Sequence, residues 1–582
     1  MGKVIGIDLG TTYSAVACLN NKEPMIIPDR NGNKTIPSIV TFTPETVLVG
    51  FAGKGRELSS PESVVKRIKR KMGTDYKFNF GGKDYTPEEI SSFILKHLKS
   101  MAEEYLGCQV REAIITVPAY FNDNQRQATK TAGKLSGLNV KRIINEPTAA
   151  SLSYGINPGE DLNIMVYDLG GGTFDVSVLS VSDGIYEVIS TAGDNNLGGE
   201  DFNSRIIDII CENFKKENGI ELRDDPLAMV KIYDAVEKSK IELSSKKKSR
   251  ISVPFVTADE KGPKNIDFDL VRSDFEELIG DYIDRTIELC RQAVRDAGMS
   301  MENIDRLILV GGSSRIPLVR KRLAGLLGKE LSDLLDPEQV VACGAAIQGG
   351  IVEGDVGGIV LIDVTPLSLG IEVEDGFFVP IIERNSPIPT AAKRTFTTVA
   401  DSQRNVDIHV MQGESMYSKN NISLGKFRLE GIRSALRGEP RIEVNFELDV
   451  NGILQVSAQD IDTKNMQQIT IMNENRMSEQ EFSKLQEEYS NKFEHEIKKR
   501  EILDSVLIMQ TKAEFMISRL THALPPAYEK SLIKDEIDEI RKNLEESVRE
   551  LDRGKIERSI QRLDFLLEES DAGAFRCGDA GA

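Results

Sequence analysis

Two stretches of the chain carry the same succession of apolar and polar positions. Residues 4–19 read VIGIDLGTTYSAVACL and residues 164–179 read IMVYDLGGGTFDVSVL. In each, an apolar run predicts a buried strand that leads into an Asp, a Gly/Thr-rich turn and a second, alternating strand. Around them, through residue 355, strand-like and helix-like periods alternate, which predicts an α/β domain. The duplication extends further. AIITVPAYFNDNQRQATKTAGKLSG (113–137) reads as strand, loop and helix, and RLILVGGSSRIPLVRKRLAGLLGK (306–329) repeats that order. Each is followed by a helix of small residues, EPTAASLSYG (146–155) and VACGAAIQGG (341–350). Side chains this small let two helices approach closely, which suits a hinge between paired lobes. Residues 226–248 read as one helical stretch ending in Lys246-Lys247-Lys248, a solvated basic face.

Beyond 355 the pattern changes. Ile359-Val360-Leu361-Ile362 follows Gly357-Gly358 and precedes Asp363 and Pro366, which mark a boundary. Two readings stay open for this apolar run: a strand that docks when domains meet, or the first strand of the next domain. From 363 to 475 the period is two. Leu367, Leu369, Ile371 and Val373 alternate with polar residues or Gly370; Val406, Ile408 and Val410 alternate likewise, as do Ile442, Val444, Phe446 and Leu448. With the turn signal Asn451-Gly452, this predicts an antiparallel β domain of about eight strands. Ser478 with Glu481 then forms a capping box, and Phe482, Leu485, Tyr489 and Phe493 share a helical face. Pro525-Pro526 breaks that region, and Ile533, Ile537, Ile540, Leu544, Val548 and Leu551 outline another helix. The tail DAGAFRCGDAGA reads as disordered.

Composition narrows the function. The chain has 582 residues, 40% hydrophobic and 28% charged, which fits a soluble multidomain protein with ample core. A net charge of −19 speaks against nucleic acid or an anionic membrane as the main partner. Neither a membrane-length apolar run nor a signal peptide is present. Six scattered cysteines without a CxxC pair fit a reducing cytoplasm, and four histidines leave little room for His-based chemistry.

The repeated turn carries the candidate chemistry. A tight Gly/Thr turn aims several backbone N–H groups and hydroxyls one way, a cradle for phosphate. Asp8 or Asp168 at its mouth suits a magnesium ion held partly through water. One such turn is an ordinary hairpin; two in matching context would clamp a nucleoside polyphosphate and its metal. There is no GxxxxGK[ST] sequence, so this is not a P-loop enzyme.

The duplicated hairpins resemble the actin, sugar-kinase and heat-shock-chaperone superfamily, in which two related lobes close over ATP. Within it, IGIDLGTTYS, ITVPAYFND, RIINEPTAA, VYDLGGGTFDVSV, STAGDNNLGGEDF, ILVGGSSRIP and DVTPLSLGIE resemble the seventy-kilodalton heat-shock chaperones of bacterial DnaK type. The resemblance is close over residues 1–475 and looser beyond. It implies an actin-like ATPase domain over 1–355, a linker over 356–363, a β-sandwich peptide-binding domain over 364–475, a helical lid over 476–570 and a disordered tail over 571–582.

It also implies roles. Thr11, Thr12, Tyr13 and the Gly170-Gly171-Gly172-Thr173 turn would bind the nucleotide, with Asp8 and Asp168 holding hydrated Mg2+. Lys69 matches the lysine beside the γ-phosphate, although Lys66 and Lys71 lie near. Glu146 would orient the attacking water, with Asp175 as a further acidic partner. Glu237, Lys240, Ser244, Gly311, Gly312, Ser313, Arg315 and Asp355 match the adenosine end. Ile371, Phe396, Val406 and Ile408 match the peptide pocket, and Val399 one side of an arch over the peptide. Arg142, Asn145 and Asp363 match positions that receive a J-domain co-chaperone, while Leu361 and Ile362 belong to the coupling linker. Two departures stand out. Ile241 replaces a second basic residue near adenine, and Glu374 replaces an apolar arch residue.

The expected activity is that of an ATP-hydrolysing chaperone that binds and releases unfolded polypeptides, assists folding under stress, and works with a J-domain protein and a nucleotide exchange factor. A sugar kinase or an actin-like filament protein leaves the β domain and lid unexplained. A non-hydrolysing exchange-factor relative does not fit intact Lys69, Glu146, Asp168 and Thr173. The chain end lacks an EEVD or KDEL-type sequence and the GTDYKFNFGGKDYTPEE segment is short, so a bacterial cytoplasm is expected.

Overall fold

The computed structural model describes residues 3–470 apart from 156–159, 261, 329–335 and 465, and beyond them residues 509, 512–513, 516–517, 532–550 and 553–571. The chain forms two compact units, Met1–Ser478 and Glu479–Ala582.

In the first unit, Val4–Asp8 (β1) and Tyr13–Asn20 (β2) form the first hairpin, with Asp8 opposite Ala15. β1 also pairs in parallel with Glu112–Val117 (β3), which pairs in parallel with Asn139–Asn145 (β4). Parallel strands need a crossover, here the helix Asp123–Leu135 (α1). Its start is fixed by a capping box between Asn122 and Gln125. Glu146–Ser153 (α2) follows β4 directly.

The second half repeats this plan. Leu162–Leu169 (β5) and Phe174–Ser182 (β6) form the second hairpin, with Asp168 opposite Asp175. Asp8 and Asp168 therefore hold equivalent places, and Asp175 stands where the first hairpin has Ala15. β6 continues to Ile185–Asp194 (β7), and β5 pairs in parallel with Arg306–Val310 (β8). Gly199–Asn218 (α3) and Pro226–Leu243 (α4) cover the second sheet's hydrophobic core. The stretch 226–248 is not one helix: α4 stops at Leu243, and Lys248 opens a strand, Lys248–Asp259, paired with Gly262–Val271. The alternating buried residues Ser249, Ile251 and Val253 impose period two there, while Lys246, Lys247 and Lys248 remain exposed.

The small-residue helix Val340–Glu353 (α5) packs where no side chain would fit. A Cβ on Gly344 would stand 1.7 Å from the Ala149 carbonyl oxygen in α2, and one on Gly6 of β1 would stand 2.1 Å from the Ala346 nitrogen. Helix, helix and strand touch through backbone, as the sequence suggests.

Val360–Val364 (β9) reconciles the two readings of the apolar run. Val360, Leu361 and Ile362 pair in parallel with Ile185, Tyr186 and Glu187 of β7, extending the second sheet. Asp363 and Val364 then pair antiparallel with Ile388 and Pro387. Eight strands follow in two four-stranded sheets, enclosing a core of Ile371, Ile408, Val410, Leu429, Val444, Phe446 and Val456. Asn451-Gly452 lies in a hairpin, but the turn runs over Asp449–Gly452 with Gly452 in the left-handed region (φ 72°).

In the second unit, Leu532–Glu550 buries Ile537, Ile540 and Leu544 against Ile556, Ile560, Leu563 and Leu566 of Arg553–Asp571, a helix the sequence reading covered only as part of the helical region 476–570. The Ser478 capping box, the Phe482–Phe493 face, Pro525-Pro526 and the tail after Asp571 lie outside the described residues, and Asp571 itself closes the last helix rather than opening the tail. Among the described residues no helix is long and apolar enough to cross a membrane.

Candidate functional site

The two Gly/Thr turns face each other at contact distance. A Cβ on Gly171 would lie 2.0 Å from Oγ1 of Thr12, and one on Gly172 would lie 2.6 Å from Oγ1 of Thr11. Glycine is thus required by the approach of the opposite turn. Thr11 and Thr173 are buried, and the buried Oγ1 of Thr12 has no hydrogen-bond partner.

Lys69 enters this cleft from a 3-10 segment, Ile68–Lys71. It is buried, and its Nζ donates to Oε1 of Glu146 at 2.5 Å. Lys66 instead pairs with Glu57 at 2.5 Å, and Lys71 is exposed, so geometry singles out Lys69 among the three. Three more carboxylates surround the pair, Asp168 and Asp175 buried and Asp8 half-buried. Burial, reinforced by the Glu146 charge, pushes Asp8 and Asp175 each up to about 7 and Asp168 well above the usual carboxylate range. Burial also disfavours the charged form of Lys69, yet Glu146 and then Asp8 outweigh it and hold the ammonium above its ordinary range. Asp175 accepts from the Tyr120 N–H through Oδ1 at 2.9 Å, while its buried Oδ2 has no hydrogen-bond partner. Lys69 thus faces four carboxylates, and Arg126 also lies within electrostatic reach of Asp175. Sequence reading missed Arg70, which donates to the Gly172 carbonyl at 3.0 Å and to Asp201 Oδ2 at 2.5 Å, fixing the second turn.

The other end of the cleft is built by α3, α4 and the loop after β8. Lys240 Nζ donates to the Gly199 carbonyl at 3.0 Å and to Glu237 Oε2 at 2.7 Å. Ser313 Oγ donates to the Gly170 carbonyl at 3.0 Å. Gly311 takes φ 80° and packs on the Leu169 carbonyl, and Gly312 packs on Glu338. Tyr13 opens β2, its phenol pushed up by burial. Ser244 ends α4, and Arg315 pairs with Asp336 at 2.7 Å on the surface. Ile241 is 58% exposed, an unusual place for an isoleucine. Asp355 is exposed after α5, and the hydrogen bonds joining Gly170, Gly199, Lys240 and Ser313 do not reach it.

A third cluster surrounds β9. Asn145 Nδ2 donates to Asp363 Oδ1 at 2.8 Å, and Thr148 Oγ1 to Asp363 Oδ2 at 3.2 Å. Arg126, fully buried, donates to Asn145 Oδ1 at 2.6 Å. Arg142 lies within electrostatic reach of Asp363, its buried Nε without a hydrogen-bond partner. Three further bonds join α1 and β4 to the β-sandwich: Leu454 N–H to Asp123 Oδ1 at 2.9 Å, Asp123 N–H to Gln412 Oε1 at 3.2 Å, and Ile143 N–H to Asn451 Oδ1 at 3.0 Å. The contacts made by Arg126, Asp123, Thr148 and Asn451 escaped the sequence reading, although Asn451 was read as a turn residue and the other three lie in the PAYFNDNQR and RIINEPTAA stretches.

A sequence model of one family, described as Hsp70 protein, matches residues 4–573. The chain belongs to the Hsp70 family. Hsp70 proteins are ATP-dependent chaperones that generally use ATP, ADP and Mg2+ and bind unfolded polypeptides and co-chaperones. The family architecture is an actin-like ATPase with a β-sandwich and a helical lid. In the sandwich of this Hsp70, Ile371 and Ile408 are buried and Phe396 and Val406 half-buried against the same core, a placement they share with ordinary core residues. Val399 is 48% exposed, and Glu374 is exposed in the turn after Leu369–Val373 (β10).

Proposed function

We propose that this Hsp70 is a DnaK-type chaperone of a bacterial cytoplasm that hydrolyses ATP to bind and release extended apolar segments of unfolded proteins. The observation that carries this reading is the buried Lys69–Glu146 pair, enclosed by Asp8, Asp168 and Asp175 between two facing Gly/Thr turns. The N–H and hydroxyl groups of Thr11, Thr12 and the 170–173 turn hold the β- and γ-phosphates. Lys69 stabilises charge on the γ-phosphoryl oxygens in the transition state. Glu146, with Asp175, orients the attacking water.

Asp8 and Asp168 fit a hydrated magnesium ion. Their environment disfavours bare negative charge, and the unpaired Oδ2 of Asp175 and Oγ1 of Thr12 leave polar atoms ready for water or phosphate. Bound there, the ion supplies positive charge beside the phosphate oxygens. Tyr13, Glu237, Lys240, Ser244, Gly311, Gly312, Ser313, Arg315 and Asp355 hold the nucleoside, and the exposed Ile241 packs on adenine.

The same reading divides the chain into an ATPase domain (1–355), a linker (356–363), a peptide-binding sandwich (364–475), a lid (476–570) and a tail. Ile371, Phe396, Val399, Val406 and Ile408 receive the peptide, whose backbone adds to the sheet. Arg142, Asn145, Leu361, Ile362 and Asp363 couple the two sites and receive a J-domain co-chaperone, and an exchange factor replaces ADP by ATP. A coupling free energy between two sites is reciprocal.

Single-turnover ATP hydrolysis, measured with and without an unfolded apolar peptide, tests this reading. Hydrolysis accelerated by the peptide, with peptide release accelerated by ATP, is expected. Turnover indifferent to peptide would reduce the protein to an ATPase joined to a binding module.

A further inference from the structure

Arg67 is the residue of the Lys69 segment that the chemistry leaves unused, and it is held unusually. It takes the left-handed conformation (φ 60°, ψ 26°), which a residue with a Cβ adopts only at an energetic cost. Its side chain crosses the cleft. The guanidinium carbon lies 4.4 Å above the ring of Tyr233 in α4, and Nε is 2.7 Å from Oε2 of the buried Glu200 at the start of α3. Tyr233 in turn donates its hydroxyl to Oε1 of Glu200 at 2.6 Å, so one carboxylate and one ring grip the guanidinium from two sides. The Lys66 ammonium lies 5.0 Å from the same ring. Nearby, Lys54 and Asp234 make only an exposed pair at 3.7 Å, a kind that contributes little.

What the grip joins is specific. On one side Arg67 stands two residues before Lys69 and three before Arg70. On the other, Glu200 follows Gly199, which packs on Ser313 and Lys240, and its N–H donates to the Gly171 carbonyl at 2.9 Å. Tyr233 stands one helical turn before Glu237 on the same face of α4. The cleft cannot widen between these walls without breaking the ion pair and the stacked contact together. Both are partly desolvated, where ion pairs and cation–π contacts are stronger than in open solvent, although the Arg67 Nε and Glu200 Oε2 atoms are close without making a hydrogen bond.

We propose that Arg67, gripped by Glu200 and Tyr233, is a clasp across the cleft mouth that sets how fast product nucleotide leaves. The proposal rests on the reading that this cleft binds nucleotide. Arg67 acts as a positioning residue, spending backbone strain on a contact made only while the walls are together.

Dissociation of a fluorescent ADP derivative from the full chain, chased with unlabelled ADP, tests it. Arg67→Ala and Tyr233→Leu should each raise the dissociation rate at least ~10-fold with little change in association, the usual signature of a lost bound-state contact. The double variant should release no faster than the more affected single one, because both remove the same contact. Arg67→Lys, which keeps charge but loses the planar face, should fall between. Arg67→Gly relieves the backbone strain, so faster release there too excludes a folding defect as the cause. Unchanged release in Arg67→Gly and Tyr233→Leu overturns the clasp. Failure of the unaltered chain to bind the labelled ADP overturns the nucleotide reading itself, and the clasp with it.

Discussion

Asn145 and Asp363 are hydrogen-bonded at 2.8 Å although 218 residues separate them, and Asn145 is the immediate neighbour of Glu146. The residue that pairs with Lys69 is thus one peptide bond from the residue that holds β9. Burial pushes the Asp363 carboxyl up, and Arg126, Arg142 and Asn145 pull it back by charge and hydrogen bonding. Apart from the adjacent Val364 N–H, which donates to Asp363 Oδ1 at 2.9 Å, the donors to this carboxylate lie on β4 and α2, so with the strand away from the sheet Asn145 and Thr148 would lose an acceptor.

Replacing Asp363 by Ala should therefore uncouple the two sites while leaving each folded. Removing one member of a buried charged network typically costs several kcal/mol of the docked arrangement. Peptide stimulation of ATP hydrolysis and ATP-driven peptide release should vanish together, as linkage requires. Loss of one with retention of the other would show that Asp363 serves only one site.

Lys69→Ala should lower single-turnover hydrolysis by at least ~100-fold while ATP binding changes little, because a preorganised charge acts most on the transition state. Lys66→Ala and Lys71→Ala should stay near the unaltered rate, since one lysine is committed to Glu57 and the other is exposed. An equal loss in Lys71→Ala would move the catalytic charge two residues along the segment.

The duplicated hairpins, the small-residue helices and the eight-stranded sandwich were legible because each rests on a local signal: period, glycine spacing or turn chemistry. Asp8 and Asp168 were legible as candidates because they lie beside such signals, whereas Glu146 came only with the family resemblance. Arg126, Asp123 and Asn451 were not, since their partners are more than three hundred residues away in two of the three cases and nothing in local pattern marks a buried arginine. The end of the helix at Leu243 was missed because Ser, Lys and Arg satisfy a solvated helix face and an exposed strand face alike. Arg67 gave no sequence signal: its contact with Glu200 and Tyr233 is created only by the fold.

Ile241 exposes an isoleucine side chain on the helix that carries Glu237 and Lys240. If adenine covers it, Ile241→Arg should add a stacked cation and tighten ADP binding several-fold. Calorimetric titration of the full chain decides the point. Unchanged or weaker affinity would place residue 241 outside the nucleotide pocket.

The last prediction follows from Asp175. Burial and the neighbouring Glu146 raise its carboxyl to about 7, against 3.8 for the free group. A raised acid binds its proton more tightly in the folded state, so the folded chain takes up protons between those two values. Stability should therefore fall as pH rises from about 4 to about 7, and the ionised group should destabilise the fold fully above that window. Asp175→Asn removes the charge yet keeps an oxygen for the Tyr120 N–H, and its amide can donate toward the remaining carboxylates. In the absence of Mg2+ and nucleotide, the variant should melt several degrees higher than the parent at pH 8, and the gap should be much smaller at pH 4.5, near the start of the window, where the folded parent keeps this carboxyl protonated. Added Mg2+ should narrow the gap at pH 8, because a cation offsets the same repulsion. Scanning calorimetry at the two pH values checks this, and a variant that is less stable than the parent at pH 8 would mean that ionised Asp175 is already compensated within the protein.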